Sequence, residues 1–545
     1  MWIMFGILTK RFETVSIEKK RQAGAMTPGS RLPELPQENR SEAMRRPNIV
    51  LILSDDQGNW AMNCAGNQEI ITPNLNRIAA AGMMFDNFYC ASPVCSPARL
   101  SLFTGKIPSQ HGVVDWIANG HCDREELDQD LKEHFRSDQP AWEYCWPKDQ
   151  LNDAKAIRFL DGHRTFTEAL AENGYICGIS GKWHMGDAGK PQAGFTWWRT
   201  LAMGGDNYKY PVVLKNGTFT LLRDKYITRY ITENALEFLD EQKGTEDPFY
   251  LSVHYTAPHA PWEKNQHEAA VYERYDDCPF QSVPDLPAHP WGAQYAAEEQ
   301  RVGARRKNLQ GFYAAVTSMD ECIGQILDKL DEMGVRENTV VIFTADNGMC
   351  MGHHGFFGKG NGTRPMNMYD ESVQVPFLIS HPGNIPQGIT ESGMFSHFDV
   401  YQTLMDYLDI DETFEENLPG VSFAPILRGG QMNGNEHIVI ADEYGPVRMI
   451  RTDKWKYIHR YLDWEGINEL YDLENDPNEA DNLYGKPGFE KITETLRKEL
   501  FDWYERHGDG RYDASKISCD GNGQIERIYP RKEKDTDMFR LQESN

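Results

Sequence analysis

The sequence predicts an α/β protein: a large, mostly parallel sheet sandwiched by helices, followed by a smaller C-terminal subdomain. Three observations predict it. The runs 47–54 (PNIVLILS) and 339–345 (TVVIFTA) are continuous apolar stretches of strand length, the pattern of strands buried on both faces. Before the second run, Phe312, Val316, Met319, Ile323, Ile326, Leu327, Leu330 and Met333 recur at helical spacing, giving a helix with one buried face that Gly334 ends. Strand-like and helix-like segments alternate from Asn48 to about Ile410, as βα units of a parallel sheet do.

In chain order, Met1 to Leu8 are apolar, but Lys10, Arg11, Lys19, Lys20 and Arg21 follow where a secretion signal would stay hydrophobic. Residues 1–43 are therefore expected to be a disordered extension, or a stretch from an upstream start with the folded domain opening at Met44. Residues 44–419 form the main domain. Its strands 175–180 and 249–255 lead into Gly181-Lys182-Trp183-His184 and Pro258-His259, each placing a cation or proton donor at a strand end. The second apolar run ends in Asp346-Asn347-Gly348, and a glycine-rich loop with His353, His354 and Lys359 comes next. Segments 377–380 and 396–400 are the last elements, closed by a helix over 401–408. Residues 420–512 change character, with short strands near 438–440, 448–451 and 456–458 and a helix over 490–507. Residues 513–545 read as a charged tail, either a lid or loose chain.

Segments 121–146 and 262–300 lack periodicity and are expected to be long loops that shape specificity. Trp116, Trp142, Trp146, Trp262 and Trp291 either pack in the core or stack on a ring-shaped ligand.

The chain has 545 residues, with 56 Lys and Arg against 82 Asp and Glu, a formal charge of −26. Such acidity argues against nucleic acid and anionic membranes as partners. No stretch approaches the roughly 20 apolar residues of a membrane span. Ten cysteines without paired short spacing form neither a disulfide framework nor a zinc ribbon, and with no secretion signal the expected compartment is the cytoplasm.

In open α/β sheets, ligands bind at the C-terminal ends of the strands. Asp55-Asp56 and Asp346-Asn347 both stand there. Either pair alone also reads as a turn or a helix cap. Brought together, three carboxylates and an amide repel unless a cation sits between them, and oxygen donors favour a hard ion, Ca²⁺ or Mg²⁺. Cys95-Ser96-Pro97-Ala98-Arg99, running into Leu100-Ser101-Leu102-Phe103-Thr104-Gly105, is by itself compatible with a buried cysteine before a proline-started helix.

The same stretch resembles the maturation motif of the type I sulfatases, in the alkaline phosphatase superfamily. The resemblance runs from Met44 to about Leu483, taking in Thr72-Pro73-Asn74-Leu75 and the late segments 451–457 and 469–477. It implies an alkaline phosphatase-like fold with an antiparallel C-terminal sheet, and a Cys95 that a formylglycine-generating maturation enzyme oxidises. The aldehyde hydrate is then the nucleophile. Asp55, Asp56, Asp346, Asn347 and the group at position 95 would hold one Ca²⁺, in preference to Mg²⁺, and Arg99 would hold the hydrate. Lys182, His184 and Lys359 match sulfate-contacting positions and His259 the general acid. His184 is also the nearest match to the base that lets the sulfated hydrate collapse back to the aldehyde. His354 either joins the substrate-binding layer or braces Lys359. Ala98, where serine is commonest, and Lys106, where arginine is more usual, depart from the pattern without touching a ligand position.

The implied activity is that of a bacterial carbohydrate O-sulfatase. A chain this acidic would repel a long sulfated polymer, so the expected partner is a sulfated mono- or oligosaccharide attacked at its end. Two alternatives stand beside this: a phosphonate or phosphate monoester hydrolase of the same superfamily, and a non-catalytic glycan-binding homologue in which Cys95 is never oxidised.

Overall fold

The computed structural model of the chain describes residues 46–134, 155–223, 225–292, 304–440, 446–461, 464–513, 521 and 523–528. The expected extension 1–43, Trp142, Trp146, Cys145 and Cys519 lie outside them.

Strands β1 (Asn48–Ser54), β2 (Met83–Tyr89), β3 (Ile176–Gly181) and β4 (Trp197–Thr200) come first, followed by a hairpin of β5 (Val212–Lys215) and β6 (Thr218–Leu221). Then come β7 (Phe249–His254), β8 (Thr339–Ala345), the two-residue strands β9 (Cys350–Met351) and β10 (Phe357–Gly358), β11 (Phe377–Ser380) and β12 (Ile389–Ser396). Eight of these form one sheet in the order β12-β2-β11-β8-β1-β7-β3-β4. Five of its seven pairings are parallel; the exception is β11, which runs antiparallel to both β2 and β8.

Alternation along β1 explains the layering. Ile49, Leu51 and Leu53 face one core with Leu100, Phe103, Phe166 and Leu404. Val50 and Ile52 face the opposite core, built from Ile231 and Phe238 of the helix Ile227–Glu241 and Met319, Ile323 and Ile326 of the helix Ala304–Glu332. A strand covered on both faces has no polar side to show, which is why its sequence is apolar throughout.

β13 (Ile438–Ile440), β14 (Val447–Arg451), β15 (Trp455–Arg460) and β16 (Glu469–Asp472) form a separate antiparallel sheet. The helix Glu490–His507 packs Leu496, Leu500 and Trp503 against Val439, Ile450 and Tyr457 of this sheet. Buried Lys456 ties it to the larger unit, its Nζ lying 2.6 Å from Asp370 Oδ1 and 2.6 Å from Glu479 Oε1.

The described parts of the two expected long loops are not featureless. Residues 121–134 contain the turn Arg124–Glu126 and the helix Gln129–His134. Residues 262–283 form short helical turns whose Trp262, Val271, Tyr272 and Tyr275 pack on Leu309, Phe312 and Tyr313. Side chains spaced too irregularly for a periodic reading are gathered by one face of the long helix. The eight described cysteines are free thiols. Among the described residues no helix is long and apolar enough to cross a membrane.

Candidate active site

Strand register assembles the site. Ser54 pairs with Ala345, Leu53 with His254, and Gly181 with His254, so β8, β1, β7 and β3 end at one rim. The next residues are Asp346, Asp55, Tyr255 and Lys182. Backbone bonds extend the pairing past the strand ends: the Asp346 amide donates to Ser54 O (3.1 Å), and the Lys182 amide to His254 O (2.9 Å).

Asp55, Asp56 and Asp346 are all buried there. Lys182 Nζ donates to Asp55 Oδ2 (2.6 Å), Lys359 Nζ to Asp56 Oδ1 (2.5 Å) and Arg99 Nε to Asp346 Oδ2 (2.9 Å). Three carboxylates thus face three cations. Burial pushes the Asp346 carboxyl up, but Arg99, Lys182 and Lys359 overcome it and hold it well below the usual carboxylate range. Asp55 goes the other way: burial, reinforced by Asp346 and Asp56, outweighs Lys182 and raises it.

Asn347 donates from Nδ2 to Asp56 Oδ1 (2.8 Å), while its Oδ1 is buried without a partner. One carboxylate oxygen each from Asp55, Asp56 and Asp346, and Cys95 Sγ, all lie within 4.8 Å of one another. This donor set, with a spare amide oxygen beside it, fits a hard divalent cation.

Cys95 begins the helix Cys95–Thr104, every residue of which is buried. Val94 enters extended, Pro97 sits in the first turn where its missing N–H is not needed, and Gly105, at φ 67°, ends the helix in the left-handed region. The thiol reaches into the cluster, 3.0 Å from Lys359 Nζ and 3.4 Å from Asp55 Oδ1. Burial, with Asp55 adding to it, pushes the thiol well above its ordinary value. One turn on, the Arg99 guanidinium is fully buried. Its Nη1 donates to Lys182 O (3.1 Å), and its Nη2 has no hydrogen-bond partner, 4.0 Å from Asp55 Oδ1.

Above the cluster opens a cavity of ≈ 360 Å³ whose lining includes Asp56, Cys95, His184, His259 and Lys359. His184 Nε2 lies 3.0 Å from Ile117 O, and a carbonyl only accepts, so Nε2 carries the proton and Nδ1 keeps a bare lone pair. Nδ1 is buried without a partner. Burial, then Lys182, lowers this imidazole well below its ordinary value, so it is neutral. His259 has the opposite arrangement: Nδ1–H donates to Ala260 O (2.7 Å), and Nε2 is 3.7 Å from Asp56 Oδ2.

Gly204 makes room for the His184 ring. A Cβ at 204 would stand 2.1 Å from its Cε1 and Nε2. Gly204→Ala is therefore expected to displace the imidazole and lower kcat by roughly 10²–10⁴-fold, the range of a lost acid–base group, with little change in melting temperature. A drop in melting temperature that matches the activity loss would make Gly204 a packing residue only.

Of the residues singled out in the sequence, Cys95, Arg99, Lys182, His184, His259, Lys359, Asp55, Asp56, Asp346 and Asn347 come together. His354 does not. Left-handed at φ 56°, it turns away from the cavity, bonds Glu371 Oε2 through Nε2 (2.8 Å) and stacks on Tyr369 at 3.7 Å between ring centroids. Its hydrogen bond goes to Glu371 rather than to Lys359, and it is not among the described residues that line the cavity. His353 is buried beneath Trp60. Trp116 and Trp262 line the cavity, whereas Trp291 packs under the Arg460 guanidinium.

The sequence reading missed Gly204 and Gly205, whose adjacency after β4 is a usable signal of close approach. It also missed Met349, Phe357 and Asn361, which flank residues it did find. Gly521 carried no signal at all. It belongs to the stretch read as a charged tail, yet residues 521, 523, 524 and 528 are buried.

A family model described as Sulfatase matches residues 47–410, and one described as N-sulphoglucosamine sulphohydrolase, C-terminal, matches residues 352–506. The N-acetylglucosamine-6-O-sulfatase of Bacteroides thetaiotaomicron is 25% identical, the match covering 87% of this chain and 89% of the relative. An ulvan-active sulfatase of Formosa agariphila is 28% identical over 84% of this chain and 80% of its own length. A solved structure of a protein in complex with its substrate D-glucosamine-2-N,6-O-disulfate shares the fold, with a TM-score of 0.67 at 24% identity, covering 87% of this chain and 100% of the other.

Proposed function

The chain belongs to the sulfatase family and is a sulfuric ester hydrolase; on that premise we propose that it removes O-sulfate from the end of a sulfated mono- or oligosaccharide, using a formylglycine made from Cys95 and one Ca²⁺. The observation that carries this is the placement of Cys95: it meets three buried carboxylates at the floor of a cavity whose lining includes His184, His259 and Lys359. Asp55, Asp56, Asp346 and Asn347 would hold the ion together with the group at position 95. The unpartnered Asn347 Oδ1 and the convergence of three carboxylates with position 95 support that reading. When bound, the ion supplies Lewis acidity and a template for sulfate. Formylglycine, as its hydrate, supplies the attacking oxygen.

The remaining work falls to the chain's own side chains. Lys182 and Lys359 bring positive charge to sulfate oxygens that gain charge as the S–O bond breaks. Arg99, fixed through Nε on Asp346, turns its free Nη2 toward Asp55 and holds the nucleophile's oxygen. His184 accepts a proton at Nδ1 and is already neutral. When its ring carries a second proton, on Nε2, His259 can give that proton to the departing sugar alkoxide, and the bond from its Nδ1–H to Ala260 O fixes the ring for the transfer.

The first test is the mass of the peptide containing Cys95, from chain produced with a formylglycine-generating enzyme. A loss of about 18 Da, thiol to aldehyde, followed by turnover of N-acetylglucosamine 6-sulfate and related esters, is the expected result. An oxidised chain that turns over aryl phosphate faster than any sulfate ester would end the sulfate assignment. Removing the ion with EGTA is expected to abolish turnover and lower the melting temperature, because an ion that binds only the folded state stabilises it. Ca²⁺ restores both and Mg²⁺ restores them less; equal restoration by Mg²⁺ would refute the choice of ion. The end-acting assignment fails if intact sulfated polymer is hydrolysed as fast as a mono- or disaccharide. The reading also takes the enzyme as cytoplasmic and bacterial, which cell fractionation with an antibody to the chain checks.

A further inference from the structure

The cavity has two chemistries. Lys359 is the one lysine or arginine among its described lining residues, and it belongs with Asp56, Cys95, His184 and His259. Trp116, Trp262, Met349 and Phe357 make much of the rest apolar. A sulfate ester has the same division, an anionic head on a neutral organic group. Trp116 stands out among the apolar residues because its position depends on chain beyond the last helix. Its indole Nε1–H donates to Gly521 O (3.0 Å), and its carbonyl accepts from the Gln524 amide (2.7 Å).

Gln524, fully buried, fastens the loop that carries Trp116. Its Oε1 accepts from the Val114 amide (3.0 Å), its Nε2 donates to Gly112 O (3.0 Å), and its carbonyl accepts from the Ala118 amide (2.8 Å). Between these anchors, Gly523 adopts φ 103° with its amide on Asp115 Oδ2 (2.9 Å). A Cβ there would stand 2.9 Å from the indole and 2.6 Å from Ala118 Cβ, so only glycine lets the strap lie flat on the ring. Gly521 itself lines the cavity. The loop is also pinned from the catalytic side, where Ser96 Oγ accepts from the Ile117 amide (3.0 Å).

We propose that the segment around Gly521, Gly523 and Gln524 is a specificity strap: it holds Trp116 as a platform for the neutral, ring-shaped organic half of the sulfate ester. An indole presents a broad face with one polar edge. Here Gly521 satisfies that edge and Gly523 lies against the ring, so the part of the half-buried indole that lines the cavity is what meets the apolar side of a sugar ring. Trp116 touches substrate; Gly523 and Gln524 position it. The inference rests on the sulfate-ester reading above and deepens it by assigning the recognition of the organic half.

Binding to the calcium-loaded full chain carrying Cys95→Ala tests this without turnover. The probes are N-acetylglucosamine 6-sulfate, 4-nitrocatechol sulfate and inorganic sulfate, with dissociation constants read by calorimetry. Adding Trp116→Ala or Gly523→Ala is expected to weaken both esters by about tenfold, the upper end for an aromatic contact. Inorganic sulfate, which reaches only the cations, should change by less than about twofold. Trp116→Phe, which keeps a ring, should recover most of the ester affinity. Esters that bind unchanged would overturn the platform, and a parallel loss of all three ligands would reduce the strap to a structural part. The carbohydrate assignment fails separately, if the oxidised wild-type chain turns over 4-nitrocatechol sulfate but no sugar sulfate. In that case the aryl ester alone decides the role of Trp116.

Discussion

Cys95→Ala is expected to lower kcat/KM for every sulfate ester by at least about 10⁴-fold, the scale on which a covalent nucleophile counts, while the chain stays folded. The thiol is buried, but its polar neighbours keep other partners: Lys359 retains Asp56, and Asp55 retains Lys182. Removing Sγ therefore strands no charge. It enlarges a cavity that is already open, so the melting temperature should move by only a few degrees. In the wild-type chain, activity should rise in proportion to the fraction of Cys95 that has lost about 18 Da. A preparation with fully reduced Cys95 and full activity would sink the nucleophile assignment.

His259→Ala should separate substrates by their leaving groups. A sugar alkoxide needs a proton as it departs, whereas a nitrophenolate or nitrocatecholate leaves without one. The variant is expected to lose about 10²–10⁴-fold in kcat/KM on a sugar sulfate, but less than about tenfold on 4-nitrocatechol sulfate. Equal losses on both would show that His259 binds sulfate rather than protonating the leaving group. The geometry makes the distinction sharp, because Nε2 is the ring atom left over once Nδ1–H is engaged by Ala260 O.

Much of this site is legible in the amino-acid sequence. Asp55, Asp346 and Lys182 each follow an apolar run directly, and a parallel register then brings run-ends together whatever the loops between them do. What resists reading depends on geometry without a local sign. β11 is as apolar as its neighbours, and nothing in Phe377–Ser380 records that it runs against them. His353 and His354 are adjacent and chemically alike; a left-handed backbone at 354 and a carboxylate 17 residues away decide where the second one goes. Gly521 and Gly523 lie in a polar stretch whose partners are some 400 residues earlier. A glycine's reason for being there is visible only when the ring it lies against is known.

The rim where β8, β1, β7 and β3 end has a consequence for how the protein breathes. The amides of Asp55, Asp346 and Lys182 donate to Ala257 O, Ser54 O and His254 O, continuing the central ladder into the reaction centre. Exchange of these hydrogens with solvent deuterium therefore requires the innermost strands to separate, so they should exchange at the rate of global unfolding while the loop carrying Trp116 opens sooner. If exchange separates in that order, mutations in the loop carrying Trp116 can accumulate without loosening the acidic cluster, because the two then open independently.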